Sequence, residues 1–344
     1  MARIVLADDG IEFDGRTPEE RPLGGVESSV VFLTQELARR GHEVLVRNKC
    51  RQALTYKGVD WAPIENGLPD EADLYIANRG DKLISLMPKA KKKAFWIHNP
   101  ATYLLKWRYI WKLWRVKPVI LFLGEYHAET LPGWVPDGGR EVIYYGIPDM
   151  FRDAEPASAP PPPRAIFTSN PLRSLSWLLD RWAAEIRPKV KDAELHVFSG
   201  AATYGGVGDA KAEPMNAVLA KAEGMADQGV VLRGPVPKAQ LIEELRQART
   251  MLYRGDINET FCLAVGEAQA LGVPTVVQNL GSMKERVIND KTGFVAGSDQ
   301  EFSDNAVRLL SDDDLWQRQH DAALDLQRRW GWEQAAAAFE RLID

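Results

Sequence analysis

The sequence predicts an α/β protein of two domains, each built on a mostly parallel sheet with helices on both faces. Three observations carry that expectation. The chain has 344 residues, more than one hydrophobic core usually supports. Short apolar runs alternate with amphipathic ones along its whole length. One proline-rich stretch, AEPASAPPPPR at 154–164, breaks that rhythm. Consecutive prolines form an extended, semi-rigid spacer that no helix or strand continues through. A domain boundary is expected there, after a first domain of residues 1–153.

The elements follow in order. RIVLAD, EVLVR, DLYIAN, AFWIHN, VILFLG and EVIYYG read as buried strands of the first domain. VESSVVFLTQELARRG reads as its first helix, with Gly41 as the C-terminal stop. After the spacer, AIFTSN, LHVFSG, VVLRG, TMLYRG and PTVVQN read as strands. They alternate with the helical patterns LSWLLDRWAAEIR, NAVLAKAEGMAD and KAQLIEELRQA, and with NETFCLAVGEAQALGVP at 258–274. Strands alternating with helices imply parallel sheets. Two such halves make two facing Rossmann-like domains, which bind ligands at the C-terminal strand ends. The cleft between the halves is the expected site.

Composition narrows the function classes. Net charge is −5, so no global electrostatic case exists for nucleic acid. Cys50 and Cys262 are the two cysteines, which make neither a disulfide framework nor a metal cluster and suit a reducing cytoplasm. MARIVLADDG reads as a first strand rather than a signal peptide. No apolar run approaches the roughly 18 residues of a membrane span. The Asp run at 312–314 reads as a helix start, because Asp favours caps, and no carboxylate set stands out as a metal cradle.

Glu259 and Glu267 stand eight positions apart in an otherwise small and apolar stretch. Thr260 reads as an N-cap and Gly272 as a C-cap, with Pro274 ending the element, so a helix is expected over about 261–271. Glu259 then lies in the loop before the helix and Glu267 inside it, ~9–12 Å away at ~1.5 Å rise per residue. That is too far to share a proton. It matches the span from a sugar ring to the ribose of an attached nucleotide. The N–H groups of Thr260, Phe261 and Cys262 would face a diphosphate between them. The bland alternative is a loop glutamate and a solvated helix glutamate. The flanking Ala264, Val265, Gly266, Ala268, Ala270 and Leu271 argue against solvation, and a carboxylate among such residues needs a partner.

Glu-x7-Glu followed by A-x-A-x-G-x-P and GSMKERVINDKTGFV resembles the signature of the retaining family 4 glycosyltransferases with the GT-B fold. GGVESSVVFLTQELARRGHEV resembles that family's glycine loop, first helix and second strand. VVLRGPVPKAQLIEEL resembles its strand, G-x-V and next helix, and RRWGWEQAAAAFERLI its final helix. The resemblance implies transfer of a sugar from a nucleoside diphosphate sugar, UDP or GDP, with retained configuration and no cofactor. It places the nucleotide-sugar domain at 165–326, with 327–344 crossing back to the N-terminal acceptor domain.

The resemblance also implies roles. Gly24 and Gly25 form a loop near the diphosphate and acceptor, where bare backbone approaches closely. His98 contacts the donor sugar, with Asn99 beside it. Arg173, where the family has a lysine, grips the diphosphate and stabilises the leaving nucleotide. The family's second cation, about five residues earlier, is missing: Thr168, Ser169 and Asn170 stand there. Arg254 is a candidate to compensate. Arg233, Gly234 and Val236 contact the base, and Glu267 the ribose. His98, Arg173 and Glu259 are the expected catalytic set, and no nucleophile is assigned. The competing readings are a nucleotide-sugar 2-epimerase and a non-catalytic nucleotide-sugar binder. A dehydrogenase is disfavoured, because no G-x-G-x-x-G follows the first strand.

KWRYIWKLWRVK at 106–117 has five basic residues and no acid. On a helix, Trp107, Trp111 and Trp114 share one face, and Arg108, Lys112 and Arg115 the adjacent one. KAKKK at 89–93 adds charge. Tryptophan beside lysine and arginine suits anionic headgroups. This gives a second expectation, peripheral contact with the inner face of the plasma membrane, and the resemblance implies a saccharide or lipid-linked acceptor. The alternative is a helix whose tryptophans pack on the sheet.

Overall fold

The computed structural model describes residues 1–200 and 212–343. The chain divides into two compact units. One comprises Met1–Glu20, Gly25–Gly146 and Trp330–Asp344, the other Arg21–Gly24 and Ile147–Arg329. The change of unit at Gly146–Ile147 falls before the proline run rather than within it. The reason is local packing: Pro161 is buried in the second unit, and its carbonyl accepts a hydrogen bond from Arg249 Nη1 at 3.2 Å.

The first unit holds strands β1 (Arg3–Asp8), β2 (Glu43–Asn48), β3 (Leu54–Tyr56), β4 (Val59–Pro63), β5 (Leu74–Asn78), β6 (Lys92–Trp96), β7 (Val119–Phe122) and β8 (Arg140–Val142). They form one sheet in the order β3-β4-β2-β1-β5-β6-β7-β8, antiparallel at β3–β4 and otherwise parallel. The sequence pattern anticipates six of these strands. β3 and β4 are additions, a short hairpin that extends the sheet edge.

The Gly25–Arg39 helix covers this sheet, burying Val30, Val31, Leu33 and Leu37. Gly41 follows it with φ +91°, the left-handed turn that stops a helix. The Trp332–Glu340 helix belongs to the same unit, with Phe339 set edge-on to Trp96 at a ring separation of 5.2 Å.

The second unit holds β9 (Arg164–Phe167), β10 (Glu194–Val197), β11 (Val230–Leu232), β12 (Thr250–Leu252), β13 (Thr275–Gln278) and β14 (Gly293–Ala296). Their order is β11-β10-β9-β12-β13-β14, and every pairing is parallel. β14 was not anticipated, because GFVA is short and follows a turn-rich stretch. The core of this unit runs from Ile147 and Phe151 through the strands to Leu315, with Trp182 fully buried. Full burial of a large apolar side chain contributes about 1.5–3 kcal/mol. Asp312 caps the Asp313–Gln327 helix by accepting from Leu315 N at 2.9 Å, as the Asp run predicts.

Candidate active site

Ligands of open α/β sheets bind beyond the carboxyl ends of the strands, where the strand order reverses. In the first sheet that reversal lies between β1 and β5. Asp8 ends β1 and Asn78 ends β5, and both are fully buried. Asn78 Nδ2 donates to Asp8 Oδ2 at 2.5 Å. Its Oδ1 must then accept, and His98 Nε2 faces it at 2.5 Å. His98 Nδ1 therefore accepts from the Tyr145 hydroxyl. Burial, then the nearby Arg79 and His127, hold the His98 imidazolium well below the usual histidine range, so the ring is neutral. Burial likewise pushes the Tyr145 phenol up.

Arg79, just past β5, has a left-handed backbone with φ +56°. It donates to Asp8 through Nε at 2.9 Å and pairs with Glu27 through Nη1 at 2.8 Å. His98 thus sits in a linked set of Asp8, Glu27, Asn78, Arg79 and Tyr145, none of which the sequence pattern singled out. The signal available was position alone: Asp8, Asn78 and Arg79 all stand at strand ends. Asn99 is exposed, and its carbonyl accepts from His127 Nε2 at 2.8 Å. Gly24 precedes the Gly25–Arg39 helix and Gly25 opens it, with Ser29 Oγ donating to the Gly25 carbonyl at 2.7 Å.

In the second sheet the reversal lies between β9 and β12. The loop after β9 carries Arg173 and the loop after β12 carries Glu259. Arg173 Nη1 donates to Glu259 Oε2, and the Tyr253 hydroxyl donates to the same oxygen at 2.8 Å. Glu259 is buried, and the Arg173 side chain is about a third exposed. Two of the three expected catalytic residues are therefore in direct contact. Tyr253, one residue past β12 within TMLYRG, is an addition.

The helix expected at 261–271 spans Leu263–Ala270. Its N-cap is Cys262, with φ +64° and no side-chain cap, rather than Thr260. The chain enters the helix through a left-handed Cys262, which leaves Thr260 two residues before the cap position. Thr260, Phe261 and Cys262 are all buried. Burial pushes the Cys262 thiol up to about 11, against the opposing pull of the Val265 N–H, Arg173 and Arg286. Arg286 lies over the Phe261 ring, 4.2 Å from its centre. Arg254 is engaged elsewhere, with Gln278 Oε1 at 2.7 Å and the Trp177 ring at 4.7 Å.

Glu267 is only 4% exposed, and its carboxylate pairs with Lys238 Nζ. The apolar flanks did demand a partner, but the lysine lies 29 residues earlier and has no local signal. Arg233 is exposed and pairs with Glu244 at 2.7 Å. Gly234 has φ +70°, and Val236 is half-buried. Among the described residues, no group of three or more His, Cys, Asp or Glu could hold a metal ion.

The Trp107–Val116 helix buries Tyr109 and Leu113 and leaves Trp107, Trp111 and Trp114 exposed at 74%, 47% and 57%. The tryptophans do not pack on the sheet. They lie against one another instead, with ring centres 6.4 and 5.3 Å apart. Lys112 turns to Asp81 at 2.6 Å and Arg108 approaches it at 3.8 Å, while Arg115 is exposed. Among the described residues, no helix is long and apolar enough to cross a membrane.

Two parallel-sheet units of this kind define the GT-B class. Residues 163–312 match the family model described as glycosyl transferases group 1, and the fold is that of the GT-B class. The D-inositol 3-phosphate glycosyltransferase of Streptomyces avermitilis is 33% identical over 169 residues, covering 48% of this chain and 34% of that protein. That of Xylanimonas cellulosilytica is 35% identical over 122 residues, covering 35% and 29%. The chain thus spans about a third of the length of these relatives.

Solved structures agree in fold over nearly the whole chain. Sucrose-phosphate synthase from Thermosynechococcus elongatus superposes with a TM-score of 0.75 at 13% identity, covering 99% of this chain and 98% of that one. Anabaena HepE, solved with UDP and glucose, gives 0.71 at 13% identity, covering 99% of each.

Proposed function

We propose that the chain is a retaining, metal-independent glycosyltransferase of family 4, moving a sugar from a UDP- or GDP-sugar to a saccharide or lipid-linked acceptor in cell-surface glycan or glycolipid synthesis. The observation that carries this reading is the Arg173–Glu259–Tyr253 cluster at the switch point of the second sheet, inside the segment that matches the group 1 family. As the anomeric carbon–oxygen bond breaks, the electron pair leaves with the diphosphate. Arg173 meets that charge, and Arg286 supplies the second cation in place of the one missing at 168–170. Glu259 borders the sugar, Glu267 the ribose, and Arg233, Gly234 and Val236 the base. The N–H groups at Thr260, Phe261 and Cys262 lie along the diphosphate.

His98 and Asn99 border the donor sugar, and the loop of Gly24 and Gly25 lies near the diphosphate and the acceptor. The site works inside the cell. The exposed tryptophans rest on an anionic membrane surface, with Arg115 and Arg108 supplying the attraction.

The test is incubation with UDP- and GDP-hexoses and a panel of saccharide and lipid-linked acceptors. Release of the nucleoside diphosphate and the anomeric configuration of the product are followed by NMR. Product with the donor's configuration supports the reading. Inverted product overturns retention, and no transfer or donor hydrolysis from any nucleotide sugar overturns the activity.

A further inference from the structure

Lys238 is the first residue of the Lys238–Arg246 helix, following Pro237 as N-cap. A cation there opposes the positive end of the helix dipole, where acidic residues are favoured. Something specific must compensate. The structure provides it in the buried Glu267 carboxylate, which Lys238 Nζ engages from outside its own helix. The ammonium also lies over the Phe151 ring, 5.4 Å from its centre, which fixes the stem. Glu267 in turn sits in the Leu263–Ala270 helix among Val265, Gly266, Ala268 and Ala270, all buried. A Cβ on Gly266 would come within 2.6 Å of the Ile147 side chain, so no larger neighbour fits beside Glu267. In such surroundings an uncompensated carboxylate is costly, and its orientation follows its cation. Lys238 engages Oε1.

We propose that Lys238 is a positioning residue: it holds the Glu267 carboxylate in the one orientation that accepts from a ribose 2′-hydroxyl, and so gives this site its preference for ribonucleotides. The proposal rests on the ribose-binding role of Glu267 stated above. Lys238 touches the carboxylate, and the carboxylate touches the sugar. Its loss therefore acts on the ribose contact rather than on the phosphates.

The experiment compares binding of UDP, GDP and their 2′-deoxy forms by calorimetry, to the full chain and to Lys238→Met and Lys238→Arg. Methionine keeps the stem and removes the charge, and arginine keeps the charge. The wild type is expected to prefer the ribonucleotide about tenfold or more, the weight of one charge-assisted hydrogen bond. Lys238→Met should reduce that preference to about twofold, and Lys238→Arg should keep most of it. Equal weakening of both forms by Lys238→Met, with the preference intact, means that Lys238 meets the phosphates or only stabilises the fold, and overturns the proposal. A wild type that binds nucleotide without preferring ribose overturns the role of Glu267, and this proposal with it. A wild type that binds neither UDP nor GDP overturns the nucleotide-sugar reading itself.

Discussion

Arg173 carries the sharpest prediction at the scale of a single residue. Its guanidinium is paired with Glu259, whose second donor is Tyr253, so its direction is fixed before any donor arrives. A cation aimed at charge that grows during bond breaking favours the transition state over the ground state. Arg173→Ala should lower kcat about 100-fold with a much smaller change in donor affinity. The reverse pattern in initial-rate kinetics would make Arg173 a binding residue only. Histidines supply a second prediction. Burial lowers the fully buried His127 from 6.5 to about 4, and His98 also lies well below its ordinary range. Below pH 6.5 the unfolded chain takes up protons that these folded sites refuse. Stability is therefore whole above that pH and is lost as pH falls towards 4, by about 3 kcal/mol for His127. Urea midpoints measured between pH 7.5 and 4.5 should fall accordingly, and His127→Gln should flatten the dependence.

The element scale shows where sequence reading succeeds and where it stops. The Leu263–Ala270 helix was legible at its end: Gly272 follows with φ +75°. An added Cβ there would approach His320 Nδ1 to 2.3 Å, and that same nitrogen bonds the Gly272 carbonyl at 2.7 Å. Gly272→Ala combines a left-handed backbone with overpacking and should cost at least about 2 kcal/mol in urea unfolding. The start of the helix was not legible, because Thr260 obeys local capping preference while the loop from β12 delivers the chain through a left-handed Cys262. Long apolar strands such as RIVLAD declare themselves. The three-residue β3 does not, because pairing with β4 rather than its own pattern makes it a strand. Glu259 and Glu267 are legible as carboxylates in a small, apolar stretch and His98 by its strand end, whereas Arg173 stands out only through the family resemblance. Their partners Tyr253, Lys238, Asn78 and Tyr145 are not legible, because tertiary folding chooses them.

At the scale of the whole molecule, the Trp107–Val116 helix presents three exposed tryptophans lying side by side, which a protein surface in water alone does not favour. Co-sedimentation with anionic vesicles should retain the protein at low salt and release it as salt rises, with no retention by neutral vesicles. Replacing Arg108, Lys112 and Arg115 by glutamine should abolish retention, with most of the loss from the exposed Arg108 and Arg115, since Lys112 is committed to Asp81. Wild type left in the supernatant with anionic vesicles would remove the membrane reading. The path of the chain has a different consequence, for recombination. The segment that matches the family ends at 312, but the unit that folds around it reaches back to Ile147 and on to Arg329. A cut at the match boundaries would strip Phe151 and Leu315 from its core. Exchanging the second unit with a relative's therefore calls for crossovers at 146/147 and 329/330, which carry all of it except Arg21–Gly24.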